Sequence, residues 1–173
     1  MREPSSAIVV RIGLPPALER VRRRLDRAAS LGVPAHVTIL YPWLPVGSLT
    51  AGARAAVAGI ARETRAFDVR FAAARRWPGV VYLEPDPAWR FSALIDRFTT
   101  RFPGFPAYDG TIEEVIPHLT LVENADAPLD EIAAAAARHV PFERSVRSIE
   151  VLAERADGRW QPHWRVPLPT DPG

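Results

Sequence analysis

The sequence predicts an α+β fold built on antiparallel strands, and three observations carry that reading. Short apolar runs of strand character alternate with longer stretches of helical periodicity, in the order β α β α β β α β α β β. Neighbouring strands are joined by tight turns, most clearly at Asp157-Gly158, which implies antiparallel hairpins. The chain has 173 residues, 47 % of them hydrophobic, which suits one domain or two small lobes sharing a core.

Each element follows from local pattern. Residues 7–12, "AIVVRI", read as a strand, too short and too interrupted by Arg11 for the apolar core of a signal peptide. Pro15 and Pro16 open a helix, with Leu18, Val21, Leu25 and Ala28 as its inward stripe and Gly32 as its end. Arg20, Arg23, Arg24 and Arg27 fall largely off that stripe and read as a solvated face rather than an RNA-binding patch. Residues 35–41 form the second strand, stopped by Pro42. A loop at 45–48 leads to a helix over 50–63, capped by Thr50, with Ala53, Ala56, Val57 and Ile60 inward. Phe67, Val69 and Phe71 alternate with polar residues, giving a half-buried strand over 67–74. "RRWPG" is read as a hairpin turn into a strand over 79–85. Asp86-Pro87 is expected to cap a helix whose Phe91, Leu94, Ile95 and Phe98 recur at i, i+3, i+4 and i+7. A loop over 103–110 precedes a strand containing His118. An alanine-rich helix spans about 128–139, and two last strands cover about 142–154 and 159–168.

Composition narrows the chemistry. With no cysteine, the chain has no disulfide, no thiolate nucleophile and no Cys-based zinc site. No apolar run approaches the roughly 18 residues of a bilayer span. A soluble, cytoplasmic monomer is the expectation. Net charge is only +2, which argues against holding long tracts of RNA by phosphate contacts alone. All 22 basic residues are arginine, a bias that reads as genome composition before it reads as phosphate recognition. There is no glycine-rich phosphate loop, no serine nucleophile elbow and no His-Glu-x-x-His metal spacing.

One pattern repeats. "PAHVTILYPW", 34–43, and "IPHLTLVE", 116–123, each carry His-x-Thr inside an apolar strand, one near the middle of each half. Strand alternation puts His36 with Thr38 on one face and Val37 with Ile39 on the other; His118 with Thr120 and Leu119 with Leu121 divide the same way. The apolar residues can pack under helices, while the polar pair must face a cleft or find buried partners. If the two strands lie side by side about a pseudo-twofold axis, two imidazoles confront one another. Histidine titrates near pH 6.5, so one ring can carry a proton while the other lacks it. In-line displacement at phosphorus requires such a base and acid, each worth about 10²–10⁴ in rate. The threonine hydroxyls can donate to non-bridging oxygens as charge builds there. The arrangement needs no metal and no cofactor.

"HVTILYP" and "PHLTLVE" resemble the duplicated His-x-Thr-x signature of the two-histidine phosphoesterases, the 2′-5′ RNA ligase-like superfamily. The resemblance extends over nearly the whole chain, through motif spacing, element order and a tryptophan-bearing strand near the C-terminus. It implies a bilobal fold in which two antiparallel sheets flank a central cleft. The chain, 1–173, would then be one domain of two pseudo-symmetric lobes, each bearing one motif. It implies metal-independent action on 2′,3′-cyclic or 2′-5′ phosphodiester linkages of RNA or nucleotides, run as hydrolysis or as ligation. His36 and His118 would be the acid–base pair, with Thr38 and Thr120 holding the phosphate. Expected partners are an RNA end bearing a 2′,3′-cyclic phosphate, a short oligonucleotide or a small cyclic phosphate. Competing readings are a module that binds an RNA end or nucleotide without turnover, and a structural protein whose His-Thr pairs brace the sheet.

Further binding candidates are weaker. Tyr41 and Trp43 follow the first motif and lie off the His36 face by strict alternation; they either stack a base or simply pack. Arg75, with Arg76 and Trp77 at the expected turn, suits a phosphate or base contact, or a solvated hairpin. Tyr108 precedes the second motif in a loop that either lines the cleft or merely turns the chain.

Overall fold

The computed structural model describes residues 3–112 and 114–170. Eight strands and five helices follow in the order β1 Ser6–Arg11, α1 Pro16–Leu25, α2 Arg27–Ser30, β2 His36–Leu40, α3 Ala51–Arg62, β3 Phe67–Trp77, β4 Val80–Asp86, α4 Trp89–Arg101, β5 Leu119–Glu123, α5 Leu129–Ala136, β6 Phe142–Val146, β7 Ser148–Glu154 and β8 Trp160–Pro167. The α+β class and the antiparallel pairing agree with the sequence reading.

The strands form one sheet, ordered β6-β3-β4-β5-β2-β1-β7-β8, rather than the two separate sheets expected. Every adjacent pair is antiparallel. The motif strands β2 and β5 are neighbours at its centre, and their ladder is thin, with the single registered pair Val37↔Leu119. The sheet must curl. Strand β6 is at one end of the order and β7 is next to the other end, yet only Arg147 separates them in the chain. Two residues of chain reach about 7 Å at most, so the two ends are drawn together.

One face of the sheet is covered. Val37, Ile39, Val81, Leu83, Leu119 and Leu121 on the strands share a single core with Leu18 of α1, Val57 of α3, Phe91, Leu94 and Phe98 of α4 and Ile132 of α5. The opposite face holds only a small cluster, Ala7, Val9 and Leu152, with Tyr41 and Trp160 against it. Alternation explains this division: residues facing the helices are apolar at every second position, and those between them are not.

Several boundaries differ from the sequence reading. The first helix breaks at Asp26, whose carboxylate accepts from Ala29 N and caps α2. Strand β3 runs on through Arg75 and Arg76 to Trp77, so the turn is Pro78-Gly79 alone, with Gly79 at φ 77°. Asp86 ends β4 and does not cap α4, whose N-cap is Ala88. The expected strand over 142–154 is two strands on opposite sides of the sheet, parted at Arg147. Thr50 does cap α3, accepting from Ala53 N. No described helix is long and apolar enough to cross a membrane.

Candidate active site

The register of β2 against β5 builds the site. Val37 and Leu119 pair on the core face. Continuing that antiparallel register by one residue each way sets His36 across from Thr120 and Thr38 across from His118. Facing residues in such a pair have Cβ atoms about 4.5–5.5 Å apart, and diagonal ones about 7–8 Å. The four motif side chains therefore form a quartet on the face the helices leave open, with the histidines on one diagonal and the threonines on the other.

Both rings are held by the same local device. His36 Nδ1 donates to the Pro34 carbonyl at 2.7 Å, and His118 Nδ1 donates to the Ile116 carbonyl at 2.8 Å. A carbonyl oxygen only accepts, so the proton of the neutral ring resides on Nδ1 and Nε2 carries the lone pair. His36 Nε2 lies 3.1 Å from Thr38 Oγ1, which donates to it. His118 sits just ahead of β5 rather than inside it.

Electrostatics separate the two. Burial is the main force lowering the His36 pKa from 6.5 to about 4; the Pro34 bond opposes it, while the Arg22 and His118 charges add to it. That His118 acts on His36 is itself a sign of their closeness. Burial also lowers the His118 pKa, against the Ile116 bond and the Glu123 carboxylate, which raise it. Tyr108 belongs to this neighbourhood. Burial, the larger cause, raises the pKa of its phenol, and the nearby Thr38 side chain works against that rise. Tyr108 has φ 53° and ψ 40°, left-handed values that cost a non-glycine residue about 1–2 kcal/mol. Its backbone N–H, donated to the Tyr41 carbonyl at 2.6 Å, helps fix it there.

The remaining candidates divide. Arg75 lies across from Tyr82, which lies across from Thr120, so it shares the motif face; it is exposed and ion-paired with Glu84 at 3.1 Å. Tyr41 also stands on the motif face, contrary to strict alternation. The strand ends at Leu40, and the Tyr41 ring packs edge-on against Trp160 at 5.8 Å, beside Val9, which pairs with Thr38. Trp43 does not belong to the site: it is 2 % exposed and packs edge-on against Phe102 in the core, so no base can stack on it.

Sequence reasoning set Trp77 at a turn beside Arg75 as a possible contact, and missed two contributors, Arg11 and Tyr82. Trp77 stacks on Tyr82 at 4.0 Å and meets the His118 ring edge-on at 4.7 Å, walling one side of the quartet. Arg11 pairs with His36 across β1 and β2 and is an exposed cation on that face. Tyr82 had a visible signal, because "VVYLE" alternates, with Val81 and Leu83 buried and Tyr82 between them. Among the described residues, no three His, Asp or Glu groups cluster as metal ligands would.

The comparisons with known proteins agree with this fold. No curated protein matches the sequence. Among solved structures, Escherichia coli LigT complexed with NADP+ superposes with a TM-score of 0.62 at 18 % identity, covering 97 % of this chain and 99 % of that one. TT0787 of Thermus thermophilus gives 0.61 at 18 % identity, over 97 % and 100 %. E. coli LigT complexed with 3′-AMP gives 0.58 at 17 % identity, over 96 % and 99 %. At such identities these likenesses concern the fold. The family model for the 2′-5′ RNA ligase superfamily matches residues 10–158, most of the chain including both motifs, and the protein therefore belongs to that superfamily of two-histidine phosphoesterases.

Proposed function

We propose that the protein is a metal-independent phosphodiesterase that opens 2′,3′-cyclic phosphates, or cleaves 2′-5′ linkages, in short RNAs or nucleotides. The observation that carries this reading is the Val37↔Leu119 register, which supports a quartet of two imidazoles and two hydroxyls around one phosphorus. Support also comes from a neighbour, since LigT has been seen complexed with 3′-AMP, a ribose-phosphate ligand. The single domain is read as two pseudo-symmetric lobes, β2, β1, β7 and β8 against β5, β4, β3 and β6, each contributing one motif.

The asymmetry between the rings supports a division of their roles. His36, whose pKa is lowered the more strongly, is neutral at neutral pH and serves as base. In the free protein its Nε2 accepts from Thr38. A bound phosphate draws that hydroxyl away and leaves the lone pair to an incoming water. Water oxygen bonds to phosphorus as its proton passes to His36 Nε2. The bond from phosphorus to the 2′ or 3′ oxygen breaks on the opposite side, and His118 supplies the proton that oxygen needs. The anionic phosphate favours the charged form of His118 and so loads it for this step. Thr38 and Thr120 donate to the non-bridging oxygens. Ligation is the same sequence with a ribose hydroxyl in place of water. Arg11, Arg75, Tyr41 and Tyr108 are read as contacts to the rest of the nucleotide. The protein is read as a cytoplasmic monomer.

The test is incubation with 2′,3′-cyclic nucleotides and with RNAs ending in cyclic phosphate, with chelator present, for the parent, His36→Ala and His118→Ala. Turnover by the parent and loss of about 10²–10⁴ in kcat/KM in each variant is expected. Turnover that survives both changes would falsify the reading. Binding without turnover would make the protein a nucleotide-binding module.

A further inference from the structure

Arg22 and Asp26 stand one helical turn apart and are 2 % and 1 % exposed. Their charges pair, with Arg22 Nη2 at 3.3 Å from Asp26 Oδ2. Each also reaches toward a motif strand. Arg22 Nη1 donates to the Val33 carbonyl at 2.9 Å, one residue before the Pro34 whose carbonyl holds His36. Asp26 Oδ1 accepts from the backbone N–H of Glu123 at 3.0 Å, at the far end of the strand that begins just after His118. Asn124 adds a parallel stitch, donating from Nδ2 to the Leu25 carbonyl at 3.3 Å. Between these anchors the sheet itself is weakly joined, by the one pair Val37↔Leu119.

A buried ion pair is a poor way to gain stability, because desolvation offsets the attraction, and apolar residues of similar volume often do as well. Here the guanidinium also keeps its Nε buried with no hydrogen-bond partner among the described residues. What the pair does supply is direction, since its donors and acceptors are fixed to backbone on both sides of the seam. We propose that Arg22 and Asp26 are positioning residues, a clamp that sets the spacing of the two histidine strands and holds a permanent cation behind His36. The clamp stands on geometry alone; its effect on catalysis rests on the function proposed above.

The groups facing His36 are Arg22 from α1, Arg11 from β1, His118 ahead of β5, and Tyr108 through Thr38; the carboxylate of Glu123 acts on His118 and Tyr108. Removing Arg22 takes away a charge that opposes protonation of His36. The decisive variant is Arg22→Met with Asp26→Leu, which deletes both charges and keeps volume. It is expected to fold, and its kcat on a cyclic phosphate to fall about tenfold or more while KM moves by less than about threefold. The His36 titration midpoint, followed by NMR, should rise. Amide exchange at Val37 and Leu119 should quicken about tenfold or more as the seam loosens. Arg22→Lys keeps the charge and loses the fork, so the seam should loosen while the His36 midpoint stays. If either folded variant keeps parental seam protection, the clamp is refuted. If the parent turns over no cyclic phosphate, the exchange and titration results still decide the clamp, and only the proposed function fails.

Discussion

His36 and His118 each donate Nδ1–H to the carbonyl two residues back, at 2.7 and 2.8 Å, yet they face different company. Around His36 stand arginines: Arg22 behind it and Arg11 across the β1–β2 pair. Around His118 stand the Trp77 and Tyr82 rings and the Glu123 carboxylate. A duplicated local device fixes the tautomer twice. The unduplicated surroundings then push the two pKa values apart, and under the proposed function that difference would separate the base from the acid. On the proposed reading, the motif supplies reach and the neighbours supply roles.

The sharpest way to break this comparison is to make the acid unnecessary. A general acid matters most when the leaving oxygen is a poor leaving group. With a ribose oxygen leaving, His36→Ala and His118→Ala should each lose about 10²–10⁴ in kcat/KM. With a nitrophenyl phosphodiester, whose leaving group departs without a proton, His118→Ala should recover most of its loss and His36→Ala should not. Recovery by His36→Ala instead would reverse the roles.

A second test needs no substrate. With the folded His36 pKa at about 4 against 6.5 for the ordinary ring, the unfolded chain binds a proton between those values that the folded protein refuses. Stability contributed by neutral His36 is therefore fully present above pH 6.5, falls as pH drops from 6.5 toward 4, and changes no further below that. The swing is about 3 kcal/mol. His118 acts in the same direction, with a part of its effect offset by Glu123. Denaturant midpoints at pH 7 and pH 4 for the parent and for His36→Gln measure it. The parent should lose more stability than the variant on acidification, and equal losses would show that His36 titrates normally.

Much of this site was legible in the sequence because it obeys two short-range rules. Alternation in "HVTIL" and "HLTLV" fixes which residues face the helices, and Val37, Ile39, Leu119 and Leu121 are indeed buried. The α4 stripe of Phe91, Leu94, Ile95 and Phe98 is buried as helical spacing requires. What was not legible depends on contacts distant along the chain. Nothing local says that β6 and β7, parted by Arg147, join opposite sides of the sheet. Arg22 follows Leu18 by one helical turn, a position that points inward, but an arginine there is read as solvated unless Asp26, one turn further on, is seen to be buried with it. Trp77 reads as part of a turn because "RRWPG" has turn residues; the strand outruns them because β4 pairs with β3 as far as Val80↔Trp77.

The threonines offer the finest division between the two motifs. Thr38 is shared, donating to His36 Nε2 with the Tyr108 phenol nearby, whereas Thr120 faces Tyr82 across the β4–β5 pair. If both only hold phosphate oxygens, Thr38→Val and Thr120→Val should cost alike. If Thr38 also guards the base until substrate arrives, its loss should cost more. We expect about a hundredfold in kcat/KM for Thr38→Val, in the range of a lost oxyanion donor, and about tenfold for Thr120→Val, the worth of one hydrogen bond. Tyr108→Phe, which removes only the phenol beside Thr38, should cost less again, about threefold. Steady-state kinetics on one cyclic phosphate rank all three. Equal losses for the two threonines would mean that the left-handed turn at Tyr108 supports the fold and has no part in preparing His36.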